Sequence, residues 1–518
     1  MLYQLSHCPT TRPGGAGLAV AVDVRVAVRA GRRVWRKSTD QPAYGRAAGD
    51  AKQRPASTGA HAGRPYARLA CVPQVTIWND DGVSTPSSAA DHTPLAEYSR
   101  EDLGTFLDEQ RTAYEELKGA GLKLDLTRGK PSTEQLDLAA GLLDLPTTPT
   151  SPSGVDTRNY GGLEGLGELR AIFAELLGVD LDQIVAGGNS SLTMMHDVLV
   201  GLRLHGGVTS ERPWVREEQV TFICPVPGYD RHYTMLAHHG IDMVTVPMLD
   251  DGPDVAACRE LVKDPSVKGM WIVPTYANPA GSVVTQEVAA ELASMPAAAP
   301  DFTIFWDNAY ALHHLTEDET KSADILSLCA AAGHPHRAVM FASTSKITFA
   351  GAGVAFLASS TENVRWYLSH QQFASIGPDK VNHLRHLEFF GDADGVRAHM
   401  ARHRASLAPK FAAVQEALSG LEGLGIAEWT RPTGGYFVSL DVVPGTATRV
   451  VELAKEAGIA LTPAGASFPY GEDPDDTNIR LAPSFPPLAE VRTAMTGVAT
   501  CVALAAAEKL ARDAGTSD

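Results

Sequence analysis

The chain has 518 residues, 44% of them hydrophobic, and a formal net charge of −17. That length asks for two or three domains of ordinary size, and apolar runs are broken by charge or proline before the roughly 18 residues a membrane helix needs, so no transmembrane span is expected. Charge is uneven: residues 1–72 hold twelve Lys/Arg and three Asp/Glu, leaving −26 on the other 446 residues, an acidic body poorly suited to nucleic acid.

Six cysteines (Cys8, Cys71, Cys224, Cys258, Cys329, Cys501) show no Cys-x-x-Cys spacing. This argues against a zinc site and a disulfide framework and fits a reducing compartment, so the expected location is cytoplasmic.

Residues 1–90 mix Gly, Ala, Pro and Arg without periodicity and are expected to be a disordered or weakly ordered extension. The segment is Arg-rich and acid-poor, as targeting peptides are, but no apolar core with a cleavage site follows the start; an upstream start codon is the other reading. At Ser99-Arg100-Glu101-Asp102 a helix start is expected, with Leu103, Phe106, Leu107, Tyr114 and Leu117 on one face. A glycine-proline turn follows, Thr127-Arg128-Gly129-Lys130-Pro131, whose cations are either solvated or available to an anion. Residues 91–150 are read as the N-terminal part of a small domain.

Residues 151–370 alternate strand-like runs with helix-length intervals. Tyr160-Gly161-Gly162 leads to a helix through Ile172 and Phe173, and Ile184-Val185-Ala186 opens through Gly187-Gly188-Asn189-Ser190-Ser191 into another from Leu192 to Leu202. A glycine-serine turn at a helix N-terminus is a ready anion site, or simply a strand-to-helix turn. Expected strands are Val220 to Cys224, Met243 to Val246, Gly269 to Val273, Phe302 to Trp306, Val339 to Ala342 and Val354 to Ala358. Unbroken apolar runs imply burial on both faces, giving an α/β fold: a mostly parallel sheet with helices on both sides, whose ligands bind at the carboxyl ends of the strands. Those ends carry Tyr229, Asn278, Asp307, Tyr310 and the run Ser343-Thr344-Ser345-Lys346. Each has an ordinary structural explanation, but five such residues on one sheet edge point to a site. A desolvated Lys346 can be neutral and attack an aldehyde.

Residues 371–518 are read as a smaller α+β domain: a helix from Ala398 to Leu418, a hairpin from Trp429 to Leu440 through Gly434-Gly435, an extended segment around Arg480, and a final helix from Leu488. The helix near residue 103 is expected to return to it.

In this order, Tyr160, Gly188-Asn189-Ser190, Tyr229, Asn278-Pro279-Ala280-Gly281, Asp307-Asn308-Ala309-Tyr310, Ser343-Thr344-Ser345-Lys346, Gly434-Gly435 and Arg480 resemble the fold-type I pyridoxal-phosphate-dependent aminotransferases over residues 100–509. The runs Thr127 to Ser132 and Ser345 to Gly353 look most like the MocR-type aspartate aminotransferase subgroup. The resemblance implies pyridoxal 5′-phosphate bound through Lys346, which also moves the substrate proton. Asp307 would keep the ring nitrogen protonated, Asn278 and Tyr310 would hydrogen-bond the ring oxygen, and Tyr229 would stack on the ring. Gly188, Asn189, Ser190, Ser191, Ser343 and Ser345 would surround the phosphate, with Tyr160 reaching that of the neighbouring subunit in a homodimer. Arg480 would grip the substrate α-carboxylate. Arg128, Gly129, Lys130 and Lys380 are candidates around a second carboxylate.

The sequence departs from many relatives in one place: Gly351-Ala352-Gly353-Val354 stands where an arginine pairs with the phosphate. The expected activity is ping-pong transfer of an amino group from aspartate to 2-oxoglutarate. The alternatives are a pyridoxal-phosphate-binding effector module of a transcription regulator, or a lyase or decarboxylase on the same fold.

Overall fold

The structure, a computed structural model, describes residues 93–515; the expected N-terminal extension, residues 1–90, lies outside them. The first long helix, Arg100–Gly119, starts where Ser99 Oγ accepts the Asp102 N–H at 3.1 Å, and it buries Leu103, Leu107 and Tyr114. After it, β1 (Leu124–Asp125) pairs in parallel with a C-terminal strand.

The large sheet is built from β2 (Ile184–Ala186), β3 (Thr221–Val226), β4 (Asp242–Leu249), β5 (Gly252–Pro253), β6 (Val267–Ile272), β7 (Thr303–Asp307), β8 (Ala338–Ser343) and β9 (Ala355–Ala358). Their spatial order is β2-β9-β8-β7-β6-β3-β4-β5. Strands β8, β7, β6, β3 and β4 run parallel, β9 is antiparallel to both neighbours, and β5 turns back on β4.

Successive residues of a strand point to opposite faces, and here the two faces feed separate cores. Ile304, Trp306 and Met340 pack with the helices Gly167–Leu177, Gln286–Ser294 and Ile325–Ala331. Phe305, Val339 and Phe341 pack with Ser191–His205 and Thr361–Ala374. Each fully buried Phe of these strands contributes about 1.5–3 kcal/mol by leaving water. One expectation fails. Met243 to Val246 lies in β4, next to the sheet edge, where most residues are exposed or half-buried rather than covered on both faces.

A further core joins Leu103, Leu107 and Tyr114 of the first helix to the C-terminal segments. It contains β10 (Ala427–Trp429), β11 (Val438–Val442), the helix Ala447–Glu456, β12 (Ile459–Ala460), β13 (Asn478–Leu481) and the last helix, Leu488–Gly515. The order β10-β11-β13 is antiparallel throughout, and β12 is the partner of β1.

The expected boundary at residue 371 is not where packing changes. The helix Lys380–Phe390 and residues Ala393, Val396 and Met400 belong to the sheet core, whereas Phe411 and Val414 of the same helix, Ala393–Leu418, belong to the C-terminal core.

The last helix is long and apolar enough to meet the length and hydropathy of a membrane span, which the sequence reading did not anticipate. Most of that stretch is buried in the fold, against the first helix and Ala393–Leu418, as a core helix is.

Candidate active site

The carboxyl ends of β3, β6, β7 and β8 open on a cavity of about 150 Å³, lined by Ser190, Ser191, Tyr229, Val273, Asn278, Asp307, Tyr310, Ser343, Ser345 and Lys346, among others. Each side chain arrives by a short local path. Asp307 is the last residue of β7 and Ser343 of β8, with Lys346 in the turn that follows. Tyr229 immediately precedes the helix Asp230–His238, and Ser190 caps Ser191–His205 by accepting the Thr193 N–H at 3.4 Å. That cap commits the Ser190 hydroxyl to the helix and leaves the N–H groups of its first residues as anion donors.

Lys346 is the only cation among the lining residues, and its Nζ sits 4.6 Å from the centroid of the Tyr310 ring. Burial lowers its pKa below the ordinary lysine value, and Asp307 pulls the other way. The amine is thereby shifted toward its neutral, nucleophilic form. Tyr310 is 4% exposed, and burial, with the nearby Tyr229 and Asp307, holds its phenol well above the usual range, so it remains a hydrogen-bond donor. Burial raises the Tyr229 phenol for the same reason.

Asp307 is buried, and its Oδ2 lies 3.0 Å from Nε2 of His232. The imidazole is stacked on Trp271, with centroids 4.1 Å apart and planes 9° apart. Asp307 Oδ1 has no protein partner, and neither has Asn278 Oδ1. Two orphaned buried acceptors cost several kcal/mol unless a ligand satisfies them.

The residues present fit pyridoxal phosphate. A protonated ring nitrogen would supply the donor that Asp307 Oδ1 lacks, and Ser191, Ser343 and the helix N-terminus would hold the phosphate. The lining holds no arginine, in line with the glycine-rich run after Lys346.

Sequence reasoning missed the residues that hold this constellation. His232 lies in the first turn of the helix that Tyr229 precedes, and the two rings stand 4.9 Å apart. The Tyr436 hydroxyl donates to the Lys346 carbonyl at 3.3 Å and accepts from Gln135 Nε2 at 2.8 Å. His399 Nε2 donates to the Ile347 carbonyl at 2.8 Å. These contacts fix the lysine turn from beneath. Nothing local in the sequence announces them.

Other expected site residues are placed elsewhere. Gly188 and Asn189 line a neighbouring cavity rather than that of Lys346. Asn189 ties the two turns together: its Nδ2 donates to the Gly351 carbonyl at 3.0 Å and its carbonyl accepts from Ser345 Oγ at 3.4 Å. Tyr160 is 80% exposed and lines a separate cavity with Lys380.

Lys380 is not a substrate-site cation within the chain. Its ammonium is buried and donates to the carbonyls of Asn159, at 2.8 Å, and Gly161, anchoring the loop that carries Tyr160. Arg128 is exposed, 3.9 Å from Asp125, and Lys130 lies over the Phe485 ring at 3.9 Å. Gly129 packs on Phe437, where a Cβ would stand 2.1 Å from the ring, and the Arg480 guanidinium sits over that ring at 5.2 Å.

The sequence profile of the aspartate amino-transferase family matches residues 98–514. The chain belongs to the aspartate aminotransferase family. A relative from Corynebacterium glutamicum named aspartate aminotransferase is 55% identical over 420 residues, covering 80% of this chain and 97% of the relative. The crystal structure of an aspartate transaminase from the same species is similar with a TM-score of 0.80 at 55% identity, over 81% of this chain and 100% of that one. An α-aminoadipate aminotransferase from Thermus thermophilus, complexed with N-(5′-phosphopyridoxyl)-L-leucine, shares the fold at 22% identity, with a TM-score of 0.60 over 75% of this chain and 93% of that one. The family member described here is an aminotransferase with a fold-type I architecture.

Proposed function

We propose that this aminotransferase uses pyridoxal phosphate to move the amino group of aspartate to 2-oxoglutarate, giving oxaloacetate and glutamate. The observation that carries the proposal is the meeting, in one cavity, of a lysine amine lowered by burial with a buried carboxylate that has one oxygen unpartnered. The relative named aspartate aminotransferase supports the substrate, and the phosphopyridoxyl complex of the Thermus protein supports the cofactor. The MocR-type likeness of the turns around Gly129 and Gly351 supports the same substrate class.

The cofactor, when bound, supplies an aldehyde and an electron-withdrawing ring. The chain supplies the rest. Lys346 would hold the aldehyde and carry the proton at the substrate Cα. Asp307, oriented by His232, would keep the ring nitrogen protonated, while Tyr310 and Asn278 would hydrogen-bond the ring oxygen. Tyr229 would stack on the ring. Ser191, Ser343 and Ser345, with the helix N-terminus after Ser190, would receive the phosphate. Arg480 takes the α-carboxylate, which favours breaking the Cα–H bond over losing CO₂ and so speaks against the decarboxylase reading.

The proposed unit is a homodimer in which Tyr160 completes the site of the other copy. Its support is the exposure of Tyr160, Phe373 and Ile376, with the Gly161 N–H bonded to the Ile376 carbonyl at 3.3 Å. A cytoplasmic location is proposed, supported by the free cysteines Cys224, Cys258, Cys329 and Cys501.

The experiment is a kcat/KM comparison of aspartate and alanine on the wild type, Arg128→Ala and Lys130→Ala. Loss of the cation that meets the second carboxylate lowers kcat/KM for aspartate by ~100-fold and spares alanine. A wild type that prefers alanine or an aromatic donor contradicts the proposal.

A further inference from the structure

Arg480 does not stand alone. Its Nη1 donates to Asp230 Oδ1 at 3.0 Å, and its side chain is only 10% exposed. Its Nε is buried with no partner. A guanidinium offers five N–H donors in a rigid fork, and carboxylates bind it best along an edge, through two parallel bonds. With Nη1 held, the edge left for a ligand is Nε and Nη2.

Asp230 is also the residue between Tyr229, which lines the cavity, and the helical turn that carries His232 to Asp307. The guanidinium lies 5.2 Å from the centroid of the Phe437 ring, which meets the cavity-lining Tyr310 ring edge-on at 6.3 Å. We infer that Asp230 is a positioning residue for Arg480: it fixes the guanidinium so that the Nε–Nη2 edge meets the substrate α-carboxylate in register with the ring-binding residues of the same helix start. The inference rests on the reading that Arg480 receives that carboxylate. Aspartate in the first turn of a helix is also favoured by the helix dipole, so the test must separate orientation from helix stability.

The test uses purified holoenzyme with aspartate and with alanine as donors, succinate as an unreactive carboxylate, and the variants Asp230→Ala, Asp230→Asn and Arg480→Lys. Asp230→Ala is expected to raise KM for aspartate and alanine alike, and Ki for succinate, by roughly tenfold. In that variant kcat at saturation stays within about twofold and the visible absorbance of the bound cofactor is unchanged. Asp230→Asn keeps an oxygen acceptor for Nη1 and recovers most of the lost affinity. Equal effects on the two donors place the loss at the α-carboxylate, the only one alanine has.

Unchanged or lower KM in Asp230→Ala overturns the inference, because Asp230 is then idle or a competitor for Arg480. So does Asp230→Asn behaving like Asp230→Ala, which makes charge rather than the acceptor decisive. A joint fall of melting temperature, cofactor absorbance and kcat in Asp230→Ala also overturns it, in favour of a purely structural helix start. Arg480→Lys separates the two levels. If it leaves KM unchanged for both donors, the reading of Arg480 fails and the inference falls with it; if it raises KM while Asp230→Ala does not, only the inference fails.

Discussion

Replacing His232 by Leu removes the one side-chain donor to Asp307 among the described residues while keeping apolar volume against Trp271. The imidazole contacts Asp307 Oδ2 at 3.0 Å, and the carboxyl is 3% exposed, so water cannot take its place freely. A hydrogen bond to a buried charged group is worth about 1.5–3 kcal/mol, a factor of roughly 10 to 150. In the proposed reaction Asp307 would hold the cofactor's ring nitrogen protonated, so losing the bond that orients the carboxylate is expected to slow the amino-acid half-reaction by up to that factor. The assay is stopped-flow absorbance at saturating aspartate, with cofactor content measured alongside. A folded, cofactor-loaded His232→Leu enzyme whose half-reaction runs within twofold of the wild type refutes the reasoning.

Tyr436→Phe removes the hydroxyl that joins Gln135 to the Lys346 carbonyl, and is expected to cost about 1–2 kcal/mol in urea unfolding and to lower kcat several-fold. Unaltered stability would show that the hydroxyl does not support the lysine turn. Gly129→Ala drives a Cβ to 2.1 Å from Phe437, so the expected penalty is about 1–3 kcal/mol, with a higher KM because that ring underlies Arg480. Wild-type KM would detach this turn from the substrate site.

Burial lowers the His403 and His386 imidazoles to about 3 and about 4. Their folded-state values lie below the ordinary 6.5, so the unfolded chain binds more protons as pH falls below that value. Their contribution to stability is therefore complete above pH 6.5 and is lost toward pH 4, at roughly 1.4 kcal/mol per pH unit for each ring. Urea unfolding at pH 7.5, 6 and 5 should show this fall, with a shallower slope in His403→Gln. An acid limb unchanged by that substitution would assign it to other groups.

The sheet was legible because β3, β6, β7, β8 and β9 are buried on both faces and so are mostly apolar, with few polar exceptions such as Lys268, which is paired with Asp301. Strand β4 misled for the opposite reason: Met243, Val244 and Val246 are apolar, but next to the sheet edge their neighbours Asp242 and Thr245 are exposed. The residues at the strand ends were legible because polar side chains directly after buried strands have few structural uses.

Partnerships across the fold were not legible. No local pattern tells that Lys380 is spent on the carbonyls of Asn159 and Gly161, that Gln135 reaches Tyr436 across 301 positions, or that Asp230 holds Arg480 across 250. His232 was nearer to hand, since a residue in the first turn of the helix that follows a cavity-lining tyrosine stays beside it.

Borohydride reduction of the holoenzyme followed by peptide mapping decides whether the Lys346 cavity is the seat of the reaction. Pyridoxyl label is expected on the peptide containing Lys346, with the label and transamination from aspartate both absent in Lys346→Ala. Label on another lysine, such as Lys380 or Lys410, or a borohydride-fixed cofactor that persists in Lys346→Ala, would contradict it.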